Sequence, residues 1–505
     1  LHDALPISKA AMNFGADLRM DLFEKIQQFS FQNIDNFSTG SLITRLTNDI
    51  TQIQNMIMMT LRMCLRSPGI LIGAMVMAFV ISPKLAAIFI IVLPVLAVLI
   101  VVIMRRAFPQ FRTLQEKLDA LNSCIQEGLV GIRLIKSFVR GDYEEMRFEK
   151  RNQQLKEANL TAMKTMLLYT PLMTLALNIT TVVVVWSGGN MIVAGNMQVG
   201  DLTAFTNYIV QIMSSLTMLS IAFLNWARAI ASFRRVGEVL DEKIDLTDEN
   251  AKHKDRAVCE GSVEFQNVSF RYYKNSPEWV IENISFKLEA GKTLGIIGST
   301  GSGKSTLVSM IPRLYDTDEG TVLVDGINVR DYGLKPLREG IGMVLQNNTL
   351  FSGSITENLK WGDEHADEKA VRKAAQNAQA AGFIDSFKDG YRTRLEQSGN
   401  NVSGGQKQRL CIARALLKCP KILILDDSTS AVDTATERAI REALHSEYKD
   451  MTKIIIAQRI RSVMDADEIL VLDNGKTAGF GTHEQLLADC PVYREIYDVQ
   501  NGREE

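Results

Sequence analysis

The six cysteines (Cys64, Cys124, Cys259, Cys411, Cys419 and Cys490) include no CxxC pair and no Cys/His spacing. Neither a zinc site nor a disulfide framework is expected, and reduced, mostly buried thiols are. An excess of one charge is also lacking: 56 basic against 58 acidic residues leave a formal net charge of -2. With no basic cluster interleaved with aromatics, no nucleic acid is expected as a partner. An initiator Met is missing too. Leu1–Ile7 (LHDALPI) matches one reading frame of a common short-read sequencing adapter, so residues 1–8 are expected to be an artefactual leader on a truncated gene fragment. A natural genomic frame running through these residues would overturn that expectation.

At 505 residues the chain is too long for one compact core. Four apolar segments crowd its first half: Ser67–Pro83, Leu85–Met104, Thr165–Gly200 and Leu202–Ala227. A membrane-crossing helix needs about 20 apolar residues, so four spans are predicted. Ser82-Pro83-Lys84 leaves room only for a hairpin between the first two, and GGNMIVAGNMQVG reads as a Gly-rich external loop after the third. Arg105–Lys164 is charged, helical in spacing and rich in Lys and Arg, hence cytoplasmic. Two helices of about 28 residues there would each reach roughly 40 Å. Their turn is predicted near Arg140–Tyr143. FSTGSLITRLTNDI (Phe37–Ile50), a Gly-containing break followed by an amphipathic stretch, is the other predicted cytoplasmic contact. Pro68, Pro94, Pro171 and Gly200 are read as ordinary kinks. No span carries an obvious mid-depth charge, which argues against a proton relay or an ion-coupled transporter.

The second half reads as soluble α/β sequence after a polar stretch, Asp241–Glu260. The predicted organisation is a partial transmembrane domain at 9–235, a linker at 236–261 and a nucleotide-binding domain at 262–505. SVEFQNVSFRY alternates as a half-buried strand does from Val263. A β-rich run then enters Gly298-Ser299-Thr300-Gly301-Ser302-Gly303-Lys304-Ser305-Thr306 and continues as a helix. That is GxxxxGK[ST] in its strand-to-helix setting, a phosphate-binding loop. Glycines let main-chain N–H groups turn toward phosphates, and the helix start adds partial positive charge. Lys304 would reach the β- and γ-phosphates of ATP, and the Ser305 hydroxyl would ligate Mg2+. ILILDD (Ile422–Asp427) is a buried strand ending in acids, where Asp426 can hold the same Mg2+.

NVSGGQKQRLCIARAL (Asn401–Leu416), standing just before that acidic strand, resembles the signature motif of the ATP-binding cassette (ABC) family. Tyr272 matches the adenine-stacking aromatic, Gln346 the glutamine loop and Mg2+ shell, Ser430-Ala431-Val432-Asp433 the D-loop, and Gln458 the switch-histidine position. The resemblance covers Ser262 to about Tyr497, and six motifs in fixed order make it specific. Upstream, FSTGSLITRLTNDI and IRLIKSFVRGDYE resemble the intracellular loops of bacterial ABC multidrug exporters. The implied fold is an α-helical transmembrane domain with four of six spans present, followed by an α/β P-loop nucleotide-binding domain. The implied setting is the bacterial cytoplasmic membrane, multi-pass, with the nucleotide domain in the cytoplasm.

The resemblance also implies two nucleotide domains meeting head to tail, each site combining one chain's Walker residues with the other's signature. Ser403, Gly404, Gly405 and Gln406 are intact and would act in trans, with Asp433. Asp427 and Gln458 stand where a catalytic glutamate and histidine are implied. A carboxylate one methylene short misplaces a general base, and a Gln cannot carry positive charge toward the γ-phosphate. The expectation is one subunit of a heterodimeric, ATP-driven exporter of amphipathic or hydrophobic compounds, working in the lipid bilayer with a weakly hydrolytic site of its own. The competing readings are an ATP-gated channel or regulatory subunit, a slow homodimer exporting lipid or peptide, and a soluble cassette ATPase, against which the four apolar segments stand.

Overall fold

Pro83 lacks the N–H that a helix interior uses but not the first turn, and the chain places it at a helix start, although Pro94 and Pro109 are accommodated inside the same helix. In the computed structural model one helix runs Arg66–Ile81, Ser82 accepts a hydrogen bond from the N–H of Leu85, and the next helix runs Pro83–Val130. The structure describes residues 4–502 except 65, 275 and 428–431, and excludes the side chains at 4, 5, 64, 220, 221, 223–225, 227 and 228. Two compact units emerge: the chain up to Gln27 with Gly40–Asp241, and Gln28–Thr39 with the chain from Glu242 onward.

The first unit is helical. Among the described residues three helical runs are long and apolar enough to cross a membrane: Thr39–Ile81, Pro83–Val130 and Gly141–Val193, the second reaching a mean hydropathy of 3.4. They carry three of the four predicted spans. The fourth, Leu202–Ala227, lies on the helix Val199–Leu240, and several of its side chains fall outside the described residues. The first cytoplasmic extension continues the span before it without a break, whereas the second is a 27-residue helix of its own, Gly141–Leu167, ending just before the helix Tyr169–Val193. Pro83–Val130 is one 48-residue rod, spanning about 72 Å at 1.5 Å per residue. Its return turn lies at 138–140, with Val139 at φ +53, and Gly141 already begins the next helix. The helical break near Phe37 likewise precedes Gly40, which sits inside Thr39–Thr44.

The predicted Gly-rich loop is shorter than expected. Gly188 and Gly189 belong to the helix Tyr169–Val193, and only 194–198 connects it to the next. A Cβ on Gly188 would lie 2.5 Å from Leu202 Cδ1, so this glycine serves close helix packing. Phe89 and Phe205 stack at 5.5 Å in the middle of the bundle, while Ile90, Val95 and Val98 point outward on a face suited to lipid.

A buried polar cluster fixes the start of the first long run. Asp49 is fully buried and accepts from the Ser232 hydroxyl at 2.8 Å and from Arg235 Nε at 2.8 Å, while Arg45 pairs with Glu238 at 3.1 Å. A wide π-helical turn, Arg45–Asp49, presents both residues to that helix. Asp49→Ala leaves the buried Ser232 hydroxyl without its acceptor and the half-exposed Arg235 without its carboxylate, and is expected to cost about 1–3 kcal/mol. The check is the melting midpoint of the detergent-solubilised chain, and no change would refute the role given to Asp49.

Among its described residues the second unit holds twelve strands: β1 (Val263–Phe270), β2 (Ile281–Leu288), β3 (Thr293–Gly298), β4 (Glu319–Val324), β5 (Ile327–Asn328), β6 (Ile341–Val344), β7 (Gly353–Ser354), β8 (Arg394–Leu395), β9 (Ile422–Asp426), β10 (Thr452–Ile456), β11 (Glu468–Asp473) and β12 (Lys476–Gly481). An antiparallel sheet has the order β2-β1-β4-β5, and a six-stranded one the order β12-β11-β3-β10-β9-β6, parallel except for β12. The alternation predicted for β1 is interrupted by a bulge after Phe265, where Asn267 takes φ +50. Every residue of β9 is buried, as a central parallel strand requires.

Of the predicted linker, 236–240 end the helix Val199–Leu240, and the part from Glu242 onward belongs to this unit. The Asp325 carboxylate accepts four main-chain N–H bonds, from Cys259, Glu260, Gly261 and Ser262, at 2.7–3.1 Å. The helix Phe31–Asn36 packs here too: Asn33 Nδ2 donates to Glu242 and to the carbonyl of Lys243, and Tyr315 donates to Asp35 at 2.8 Å. Of the described cysteines, Cys124, Cys411 and Cys490 are buried, whereas Cys259 and Cys419 are exposed.

Candidate functional site

Parallel pairing places the candidate residues at the carboxyl ends of three adjacent central strands of the six-stranded sheet, β3, β10 and β9. Ile456 of β10 is in register with Ile296 of β3 and with Asp426 of β9, so the segments after Ile296, Asp426 and Ile456 emerge side by side. Gly298 ends β3 at φ +157, and a Cβ there would lie 2.1 Å from the Leu472 carbonyl oxygen. Gly303 takes φ +90 and packs against Ile281 and Val280, so both positions demand glycine. Gly301, at φ +84, has nothing within 4 Å of its own Cβ position. The loop is thus closed beneath and open above, the shape a phosphate chain needs.

Lys304 Nζ donates across the loop to the carbonyls of Gly298 (2.9 Å) and Ser299 (2.7 Å), with Ser302 Oγ at 3.4 Å. Burial lowers its pKa, and the Asp426 and Asp427 carboxylates oppose that shift. The Ser305 hydroxyl donates to Asp426 Oδ1 at 2.9 Å. Burial raises the Asp426 pKa, against the Ser305 hydrogen bond. A hydroxyl and a carboxylate in contact, beside open space for phosphate, suit a hard cation that keeps part of its water shell. Among the described residues no group of three His, Cys, Asp or Glu side chains cages a metal alone. Ser305 and Asp426 would therefore hold Mg2+ together with the nucleotide, and the ion would supply neutralising charge at the phosphates.

Asp427 and Gln458 meet each other: Gln458 Nε2 donates to Asp427 Oδ2 at 2.7 Å. Asp427 sits at φ +47, its N–H bonded to the Ile456 carbonyl, and its carboxyl is pushed up by burial and held down by Gln458. Tyr272 is 36% exposed, leaving part of its ring for stacking; its hydroxyl lies 2.9 Å from Thr306 Oγ1.

Other predicted residues lie elsewhere in the unit. Gln346 is exposed and lines a shallow cleft of about 260 Å3 with Asn348, Gly404 and Lys407. Ser403 caps the helix Gly404–Leu417 in a reciprocal box with Gln406, and Ser403 and Gly404 are exposed. An exposed, capped helix start is what a group working on another chain's ligand requires. Asp433 caps the helix Thr434–Glu447 through the N–H and hydroxyl of Thr436; Ser430 and Ala431 lie outside the described residues.

Two residues at the site were not singled out from sequence. Tyr315 is buried edge-on to Tyr272 at 5.3 Å while donating to Asp35, and burial plus that carboxylate pushes its pKa well above the ordinary phenol range. Tyr315→Phe and Asp35→Ala should each cost about 1 kcal/mol, and the pair little more than either. Thermal melts of the four variants in a cycle check this; additive losses would mean the two residues act separately. The second residue, Gln500, bonds the main chain beside Gln458. No motif marks either one: a lone aromatic and a helix-end amide gain meaning only from what they touch.

The chain matches the family described as ABC transporter transmembrane region over residues 5–216, and that described as ABC transporter over 281–430. It is similar to the ABC transporter ATP-binding protein YfiB of Bacillus subtilis (strain 168), 42% identical over 494 residues, covering 98% of this chain and 85% of the relative. It is also similar to the putative multidrug export ATP-binding/permease protein YgaD of the same organism, 36% identical, covering 96% and 83%. A bacterial Atm1-family ABC exporter solved with ATP bound superposes with a TM-score of 0.85 at 26% identity, over 97% of this chain and 86% of that one.

Proposed function

We infer the role of this chain from its family: it belongs to the ABC transporters, as a half-transporter of an ATP-driven exporter, with a helical transmembrane domain followed by an ATPase domain. Within that family we propose that it is the retaining subunit of an asymmetric pair. Its own Walker residues hold ATP and Mg2+ but turn them over weakly, and Ser403–Gln406 complete the hydrolytic site of a different partner chain. The transported compounds are amphipathic or hydrophobic, a reading supported by the multidrug description of the relative YgaD.

One observation carries this proposal: Asp427 Oδ2 accepts from Gln458 Nε2 at 2.7 Å. The two side chains at the hydrolytic positions satisfy one another. A general base must be free to take a proton from water, and a γ-phosphate contact must be free to follow charge. ATP held here therefore acts as a lasting clamp, and closure of the nucleotide dimer drives the membrane half outward.

The experiment is gentle purification of the tagged protein from its native membrane, with mass spectrometry of what accompanies it. The expected companion is a second half-transporter with glutamate and histidine at the positions equivalent to Asp427 and Gln458. Recovery of this chain alone would make it a slow homodimer and refute the asymmetry.

A further inference from the structure

The loop after β10 carries Gln458 but has little regular structure to hold it. Gln458 and Arg459 are exposed, and a single 3-10 turn, Ile460–Ser462, follows. What spans this stretch is one side chain from the helix Pro491–Asn501. Gln500 Nε2 donates to the Gln458 carbonyl at 2.8 Å, and Gln500 Oε1 accepts from the Ile460 N–H at 2.8 Å. One planar carboxamide thus pairs with a carbonyl and an N–H two residues apart, as a neighbouring strand would. The adjacent Asn501 Oδ1 accepts from Arg461 Nη2 at 3.2 Å, and the Arg461 carbonyl accepts from Arg441 at 2.8 Å. The helix bearing Gln500 is itself anchored: Tyr493 is fully buried, its hydroxyl 2.7 Å from His483 Nδ1. A fixed helix therefore bonds the main chain on both sides of exposed Arg459, between buried Ala457 and Ile460, at the residue whose side chain reaches Asp427.

We propose that Gln500 is a positioning residue for the switch segment, setting the reach of Gln458 toward Asp427 and the γ-phosphate of bound ATP. The proposal rests on the assignment of ATP retention to this site. It explains why the amide is needed rather than size alone. Asn and Gln offer a donor and an acceptor side by side on one carboxamide carbon, and Gln has the longer reach. Glutamate at 500 would keep the bond from Ile460 but set a carboxylate against the Gln458 carbonyl.

The test is a double-mutant cycle of Gln500→Ala and Gln458→Ala in the full chain assembled with its partner, read by the release rate of radiolabelled ATP with Mg2+. Each single change is expected to speed release about 3- to 10-fold, and the pair no further than one alone. Gln500→Glu should match Gln500→Ala, with melting temperatures unchanged throughout. Additive effects, an inert Gln500→Ala, or a loss of ATP explained by a lower melting temperature would overturn the proposal. If instead this site cleaves ATP as fast as its partner's, the retention reading fails, and the same cycle on turnover still decides the role of Gln500.

Discussion

Asp427→Glu combined with Gln458→His raises ATP hydrolysis at this chain's own site by roughly 10²-fold or more, the lower end of what a positioned general base contributes. Two physical changes produce that gain. The longer carboxylate leaves the amide contact at 2.7 Å and extends toward the attacking water. The imidazole then supplies a donor, and when protonated a charge, that an amide lacks. Neither change alone is expected to give the full effect, because residues acting as one unit are not additive. Phosphate release is the readout, with the partner's glutamate replaced by glutamine so that only this site contributes. The surrounding geometry favours the outcome: Ser305 and Asp426 already meet at 2.9 Å, so only the base and the phosphate contact need repair. Unchanged hydrolysis would show that the defect lies elsewhere.

Lys304→Met is expected to weaken ATP binding at this site by roughly 10- to 100-fold, as loss of a charge-assisted donor predicts. The ammonium lies across the loop on the Gly298 and Ser299 carbonyls, at 2.9 and 2.7 Å, and must exchange these for phosphate oxygens. Methionine fills the volume without the donors or the charge. Lys304→Arg should rescue little, because a planar fork does not reproduce a compact ammonium in a loop this tight. Binding of a fluorescent ATP analogue to the assembled transporter measures the effect. Affinity within twofold of the parent would remove Lys304 from the phosphate contacts.

Local patterns made much of this fold legible. The phosphate loop needs glycine at particular φ values, and Gly298, Gly301 and Gly303 take φ of +157, +84 and +90. Ile422–Asp426 is all apolar until its acid, and the strand is wholly buried. Pro83 marked the first hairpin for the same reason, through a hard backbone restriction. What escaped reading depends on partners distant in sequence. Gly188 and Gly189 look like loop residues because glycine usually weakens helices, but Leu202 packs where a Gly188 Cβ would stand. The break expected from Gly40 and the turn expected at Gly141 moved a few residues because neither glycine takes a positive φ. At the site, the residue types at 427 and 458 were readable, but their direct bond was not. Asp35, Tyr315 and Gln500 carry no motif, and only the folded chain brings them to Tyr272 and Gln458.

The most direct test of an ATP-retaining site is to load the purified assembly with ATP labelled at the γ-phosphate, crosslink the nucleotide by its base, and follow the label on each chain. Label persisting on this chain through many turnovers, while the partner's is lost within one, is the predicted result. Loss of label from both chains at the same rate would contradict the account.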